Sequence, residues 1–189
     1  LSGLPANGIL YSDAALTTAV TAGAAYAATG ESLTLYFVPD ANWNGETTFG
    51  YKGSDGELES AEAVATLSLT AVNDAPVAVA DTLDAVEDTP VTYTAAQLVG
   101  NDTDIENSAL TISSVTSGSN GTAELNGDGT VTFTPNANYN GPADFTYIVN
   151  DGTTDSTSSA TVTVNVAAIN DAPVAVADTL DAVEDTPVT

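Results

Sequence analysis

Apolar and polar residues alternate with a period of two along most of this chain, the spacing of half-buried strands. Along Phe145-Thr146-Tyr147-Ile148-Val149, the Phe, Tyr and Val share one face; along Val162-Thr163-Val164-Asn165-Val166, the valines face one way and Thr and Asn the other. The alternation predicts strands over residues 90–94, 110–115, 122–125, 130–134, 144–149 and 160–166, with a further one within 77–80. Turn-forming tracts separate them: Asn120-Gly121, Gly127-Asp128-Gly129, Asn140-Gly141-Pro142 and Asn150-Asp151-Gly152. Residues 95–99 suit a single helical turn. About seven strands at ~8–12-residue spacing predict an all-β fold, an antiparallel sandwich with Greek-key connections.

The pattern repeats. Residues 73–92 read NDAPVAVADTLDAVEDTPVT, and residues 170–189 read the same, letter for letter, 97 positions later. A period of that length makes one repeat one domain. The match extends to Phe37-Val38-Pro39-Asp40-Ala41-Asn42-Trp43-Asn44-Gly45 against Phe133-Thr134-Pro135-Asn136-Ala137-Asn138-Tyr139-Asn140-Gly141. The expected organisation is a partial repeat over 1–72, a complete one over 73–169 and the opening strand of a third over 170–189. By this alignment Leu1 stands opposite about Val115, so the first repeat is expected to lack its opening ~40 residues. The first repeat also has an Ala- and Thr-rich stretch, residues 14–29, expected to form a long hairpin loop or an added strand pair.

Charge narrows the function classes. The chain has 26 acids, one Lys, no Arg, His or Cys, and a net charge of −25. Nucleic acid and anionic membrane surfaces attract clustered Lys and Arg, so neither is an expected partner. No apolar run approaches the ~18 residues of a spanning helix, so membrane insertion is not expected. Without His, Cys or Arg, the usual nucleophile–base pairs and phosphate clamps cannot be assembled, and the chain is not expected to be an enzyme. Two carboxylates can serve a glycosidase, but here the acids recur with the repeat.

Those acids cluster. Residues 73–92 hold Asp74, Asp81, Asp84, Glu87 and Asp88, and Asp102, Asp104 and Glu106 follow. Asp55 and Asp151 occupy equivalent Asp-Gly turns before the last strand of each repeat. In a sandwich, loops gather at the two poles. The Asp55 loop, Glu87-Asp88 and the Asp102–Glu106 loop can then converge on the linker at residues 71–76. Hard oxygen donors without His or Cys suit Ca²⁺, which takes six to eight oxygens. Two readings stand on spacing alone: a calcium site, or a solvated acidic face built of ordinary turn residues.

Five ordered motifs carry a resemblance: Asn73-Asp74-Ala75-Pro76, Glu87-Asp88-Thr89-Pro90-Val91, Asn101-Asp102-Thr103-Asp104, residues 133–141, and Phe145-Thr146-Tyr147 with Asp151-Gly152. Together they resemble the cadherin-like tandem repeats of giant bacterial adhesins of the repeats-in-toxin type. The resemblance implies tandem immunoglobulin/cadherin-like sandwiches joined end to end, extracellular at a bacterial surface after type I secretion, with Ca²⁺ at the junctions. It implies ligands Asn73, Asp74, Glu87, Asp88, Asp102 and Asp104 at one junction, with Asp55 from the preceding repeat. At the next it implies Asn170, Asp171, Glu184 and Asp185, with Asp151. Glu106 departs from the Asp common in that family. The expected role is a calcium-rigidified extender holding a distal binding domain away from the cell. Its expected partners are neighbouring repeats of the chain or copies in a filament. An extracellular glycan or cell-surface partner would bind elsewhere in the full protein. The alternative role is a carbohydrate- or cell-binding module. Trp43 and Tyr139 fall at equivalent turn positions, where a structural plug is expected over a sugar-stacking platform.

Overall fold

In the computed structural model, which describes residues 1–30 and 32–185, the chain divides into two units, Leu1–Asp74 and Ala75–Thr189. The first holds β1 (Gly8–Tyr11), β2 (Tyr36–Pro39), β3 (Gly45–Tyr51) and β4 (Ala63–Leu69). They form two antiparallel pairs, β1 with β2 and β3 with β4. Residues 14–29 form a loop with an isolated bridge from Tyr11 to Ala19, so the added strand pair does not form. Asp13 ties this loop down by accepting the amides of Thr17 (3.2 Å) and Thr18 (2.7 Å).

The second unit holds β5 (Asp81–Val86), β6 (Val91–Tyr93), α1 (Ala95–Leu98), a 3₁₀ turn (Val99–Asn101), β7 (Thr111–Ser117), β8 (Gly121–Leu125), β9 (Val131–Pro135), β10 (Gly141–Asn150) and β11 (Ala160–Ala167). One sheet has the order β5-β11-β10-β7 and the other β6-β9-β8. Chain order crosses between the sheets three times before β8 and β9 pair, as a Greek key requires. The expectation of a purely antiparallel sandwich needs one correction: β5 runs parallel to β11, from Val162 opposite Asp81 to Ala167 opposite Val86. The strand expected within 77–80 is a single bridge, Val77 to Thr103.

Side-chain alternation builds the core. Phe145, Tyr147 and Val149 of β10 face Val162 and Val164 of β11, and Phe133 and Val131 of β9 close from the other sheet. Phe133 stacks on Phe145 with ring centroids 5.9 Å apart. A Cβ at Gly121 would overlap the Phe133 ring, and one at Gly8 would overlap the Phe37 ring. Each repeat therefore keeps a glycine where an aromatic ring crosses the backbone. The left-handed residues recur as well, at Asn7 and Asn120, and at Asn42 and Asn138. The four strands of the first unit thus correspond to the last four of the second, β1 to β4 standing where β8 to β11 stand.

Candidate metal centre: acidic groups at the two ends of the second unit

Chain direction sorts the acids. β5 starts at Asp81, and β11, parallel to it, leads to the linker at residues 168–171. The chain therefore enters this unit at one end of the sandwich and leaves at the other. Asp102 and Asp104 lie at the entry end, where the amide of Val79 donates to Asp102 Oδ1 (2.6 Å) and Val77 bridges Thr103. Asp151 follows the last residue of β10, which pairs with the first of β7 at the same end. Glu87 and Asp88 follow β5 at the exit end. Six residues of strand put these groups about 20 Å apart.

The grouping of Glu87 and Asp88 with Asp102 and Asp104 on one junction is therefore corrected. An ion with ligands at about 2.3–2.6 Å cannot reach both ends. The turn at Glu87-Asp88 sends β6 back, so residues close in sequence finish far apart.

At the entry end, the phenol of Tyr147 sits among Leu98 O (2.8 Å), Asp81 Oδ2 (2.9 Å), Asp102 Oδ2 (3.1 Å) and Val79 O (3.3 Å). It has one proton to donate. Burial raises the carboxyls of Asp81 and Asp102 above the usual range; the hydrogen bond from Tyr147 lowers both, and the Asp102 charge raises Asp81 further. Burial likewise drives the Tyr147 phenol far up. Asp104 Oδ1 accepts the Ser108 amide (2.8 Å), while its Oδ2 is shielded from solvent and meets no hydrogen-bond donor among the described residues. Asp151, 8 % exposed, accepts the amides of Thr153 and Thr154, both at 2.6 Å. Glu106 lies two residues beyond Asp104 and is partly buried.

At the exit end, Glu87 is 3 % exposed. Its Oε1 accepts the amide of Ile169 (2.7 Å) and its Oε2 the Asn140 Nδ2 (3.2 Å). Asp88, with φ of 59°, accepts the Asn138 amide (2.8 Å). Asn170 Nδ2 then donates to Asp171 O at 3.2 Å, and its counterpart Asn73 donates to Asp74 O at the same distance. Glu184 and Asp185 are exposed, and Asp185 (φ 57°) repeats the backbone of Asp88. In the first unit, Asp55 accepts the amides of Leu58 and Glu57, which hold its carboxyl below the usual range.

Among the described residues, no three carboxylates are gathered into a group that could hold a metal ion. The donor set still fits a hard cation. It is all oxygen, and it includes a shielded carboxylate oxygen that meets no donor among the described residues, in a chain with one Lys. Sequence reasoning named Asp81 in the acid cluster and Tyr147 in a strand but did not bring them together, because their meeting depends on where β5 lies. Tyr139 donates to Pro142 O (2.6 Å) and accepts from Asn120 Nδ2 (2.9 Å) against the core, as a plug does.

The model of the cadherin-like domain family matches residues 72–167. The chain belongs to the cadherin-like domain family. The match covers the entry end, both sheets and Glu87-Asp88, so both acidic groups belong to the family domain. Curated proteins include no match. Among solved structures, the endo-fucoidan hydrolase MfFcnA4 of glycoside hydrolase family 107 is similar at 23% identity and a TM-score of 0.37, over 72% of this chain and 20% of that one. Domains 4 and 5 of the S-layer protein SbsC are similar at 19% identity and 0.34, over 70% and 62%. The chain spans about a fifth of the hydrolase's length. Both scores are too low for the likeness to bear on activity or partners.

Proposed function

We propose that this cadherin-like chain is a stretch of spacer repeats from a bacterial surface adhesin or extracellular filament, exported by type I secretion and stiffened by Ca²⁺. Its role is to set distance rather than to catalyse. Its partners are neighbouring repeats, or copies of the chain in a filament.

The observation that carries this reading is the shielded Oδ2 of Asp104, which meets no donor among the described residues. Leaving a carboxylate oxygen out of water with no partner costs free energy that a cation would recover. Asp102, Asp104 and Asp151 would hold an ion at the entry end, with Glu106 beside them. Glu87 and Asp88 would hold one at the exit end, with Asn170 and Asp171. Asp55 is the first unit's counterpart of Asp151, Asn73 and Asp74 of the exit linker, and Glu184 and Asp185 of Glu87 and Asp88. The ion supplies positive charge. The chain's own contribution is to fix where each linker starts, as Glu87 does through the Ile169 amide.

Small-angle scattering on two complete repeats tests the stiffening. The maximum dimension should be longer with Ca²⁺ than with chelator. Identical profiles would refute the role.

A further inference from the structure

A pull along this chain enters the second unit ahead of β5 and leaves it after β11. β5 starts at the entry end with Asp81, and β11 stops at the exit end with Ala167. The two strands lie side by side and parallel, Asp81 opposite Val162 through Val86 opposite Ala167. The pull therefore draws β5 toward the entry end and β11 toward the exit end, along the strand axes and in opposite directions. Main-chain bonds between the strands lie across that line, so they are loaded in shear and share the load along about 20 Å of strand. The same bonds pulled from one end of the pair would open one after another.

Among the described residues β5 is an edge strand that pairs with β11 alone, whereas β11 also pairs with β10, from Gly141 opposite Val166 to Tyr147 opposite Ala160. The β5–β11 seam is thus the line along which the two ends of the unit would part. Leu83 and Ala85 fasten β5 to the core. Ties reinforce both ends of the seam. At the entry end Val77 and Thr103 exchange main-chain bonds (2.8 and 3.1 Å), and the Val79 amide donates to Asp102 Oδ1 (2.6 Å). At the exit end the Glu87 amide donates to Ala167 O (3.0 Å) and the Ile169 amide to Glu87 Oε1 (2.7 Å). The exit tie joins the end of β5 to the linker that follows β11, in line with the ladder.

We infer that the second unit is a load-bearing link, with the β5–β11 seam as a shear clamp that resists a pull along the chain. Parallel pairing is what makes it one. Were β5 antiparallel to β11, the chain would enter and leave at the same end, and a pull would peel the pair apart. Forced unfolding follows the unfolding rate rather than equilibrium stability, so the clamp raises resistance in one direction of pull and not in others. It adds to the spacer role a second function, that of holding the distance under tension. The clamp does not need the ion: a chain that binds no Ca²⁺ still carries load through β5 and β11.

Single-molecule pulling on the full chain, through thiol handles and in excess chelator, tests the clamp apart from the ion. The protein has no cysteine of its own, so handles can be placed at will. Val72, Thr89 and Ala172 are exposed, so substituting them leaves the folded unit intact. Val72→Cys with Ala172→Cys loads the seam in shear. Thr89→Cys with Ala172→Cys puts both handles at the exit end and peels it. At one pulling speed the first pair should unfold at a force several-fold higher than the second. Leu83→Ala in β5 should lower the force of the first pair more than Leu125→Ala in β8, which lies off the load path, although both side chains pack against the core. Equal forces in the two directions would overturn the clamp. So would a Leu83→Ala chain that resists the Val72–Ala172 pull as well as the Leu125→Ala chain does.

Discussion

Replacing Tyr147 by Phe removes one oxygen from the centre of the entry end and leaves the ring packing in place. Tyr147 is 1 % exposed, so no solvent replaces the lost hydroxyl. The phenol reaches Asp81, Asp102, Leu98 O and Val79 O, but its single proton satisfies one acceptor at a time. The cost is therefore that of one hydrogen bond to a charged or buried acceptor, about 1.5–3 kcal/mol, and not the sum over four. For a domain of this size that lowers the melting temperature by about 4–8 °C per kcal/mol. The cost depends on pH. Asp81 and Asp102 already have raised carboxyl pKa values, and the Tyr147 hydrogen bond restrains both. Without it they rise further. A carboxyl whose folded pKa exceeds its unfolded value favours the fold below the unfolded pKa, and that stability is lost as pH rises through the folded pKa. Tyr147→Phe should thus cost more at neutral pH than near pH 3.8, the unperturbed carboxyl value. Urea denaturation in excess chelator at both pH values reads this directly. A cost that is the same at both, or larger in acid, would refute the account of the entry end.

Gly121→Ala should destabilise the second unit by about 1–3 kcal/mol, because the added methyl meets the Phe133 ring, while Gly100→Ala, with nothing within 4 Å, should cost less in the same melting experiment. Glu87→Ala strands the Ile169 amide and the Asn140 side chain at a cost of about 1–3 kcal/mol. Hydrogen exchange at Ile169 should accelerate, and unchanged protection would show that Glu87 does not anchor the linker. Asp104→Ala should weaken Ca²⁺ affinity in calorimetry more than Asp128→Ala, since Asp128 serves its own hairpin by accepting from Thr130.

Most of the sandwich was legible because alternation is a local signal. Strands β6 to β11 and the turn at α1 fall within a few residues of their predicted places. Strand β5 was missed. Asp81-Thr82-Leu83-Asp84-Ala85-Val86 puts only Leu83 and Ala85 toward the core, and two aspartates interrupt the apolar signal. Its parallel pairing with β11, some eighty residues away, is a non-local choice that no window of sequence reports. Missing β5 also misplaced the site. With no strand before Glu87, nothing separated it from Asp102, and the two groups read as one. The meeting of Tyr147 with Asp81 was hidden for the same reason, whereas the recurrence of acids at turns was plain from the repeat itself.

Calcium titration of metal-free chain, followed by calorimetry and by melting, tests the proposed role most directly. Saturable binding is expected, weakened by Asp104→Asn at the entry end and by Glu87→Gln at the exit end. Free Ca²⁺ at 100 times Kd should stabilise by about 2.7 kcal/mol for each site. No binding heat together with a melting curve unchanged by Ca²⁺ would contradict the calcium-stiffened spacer.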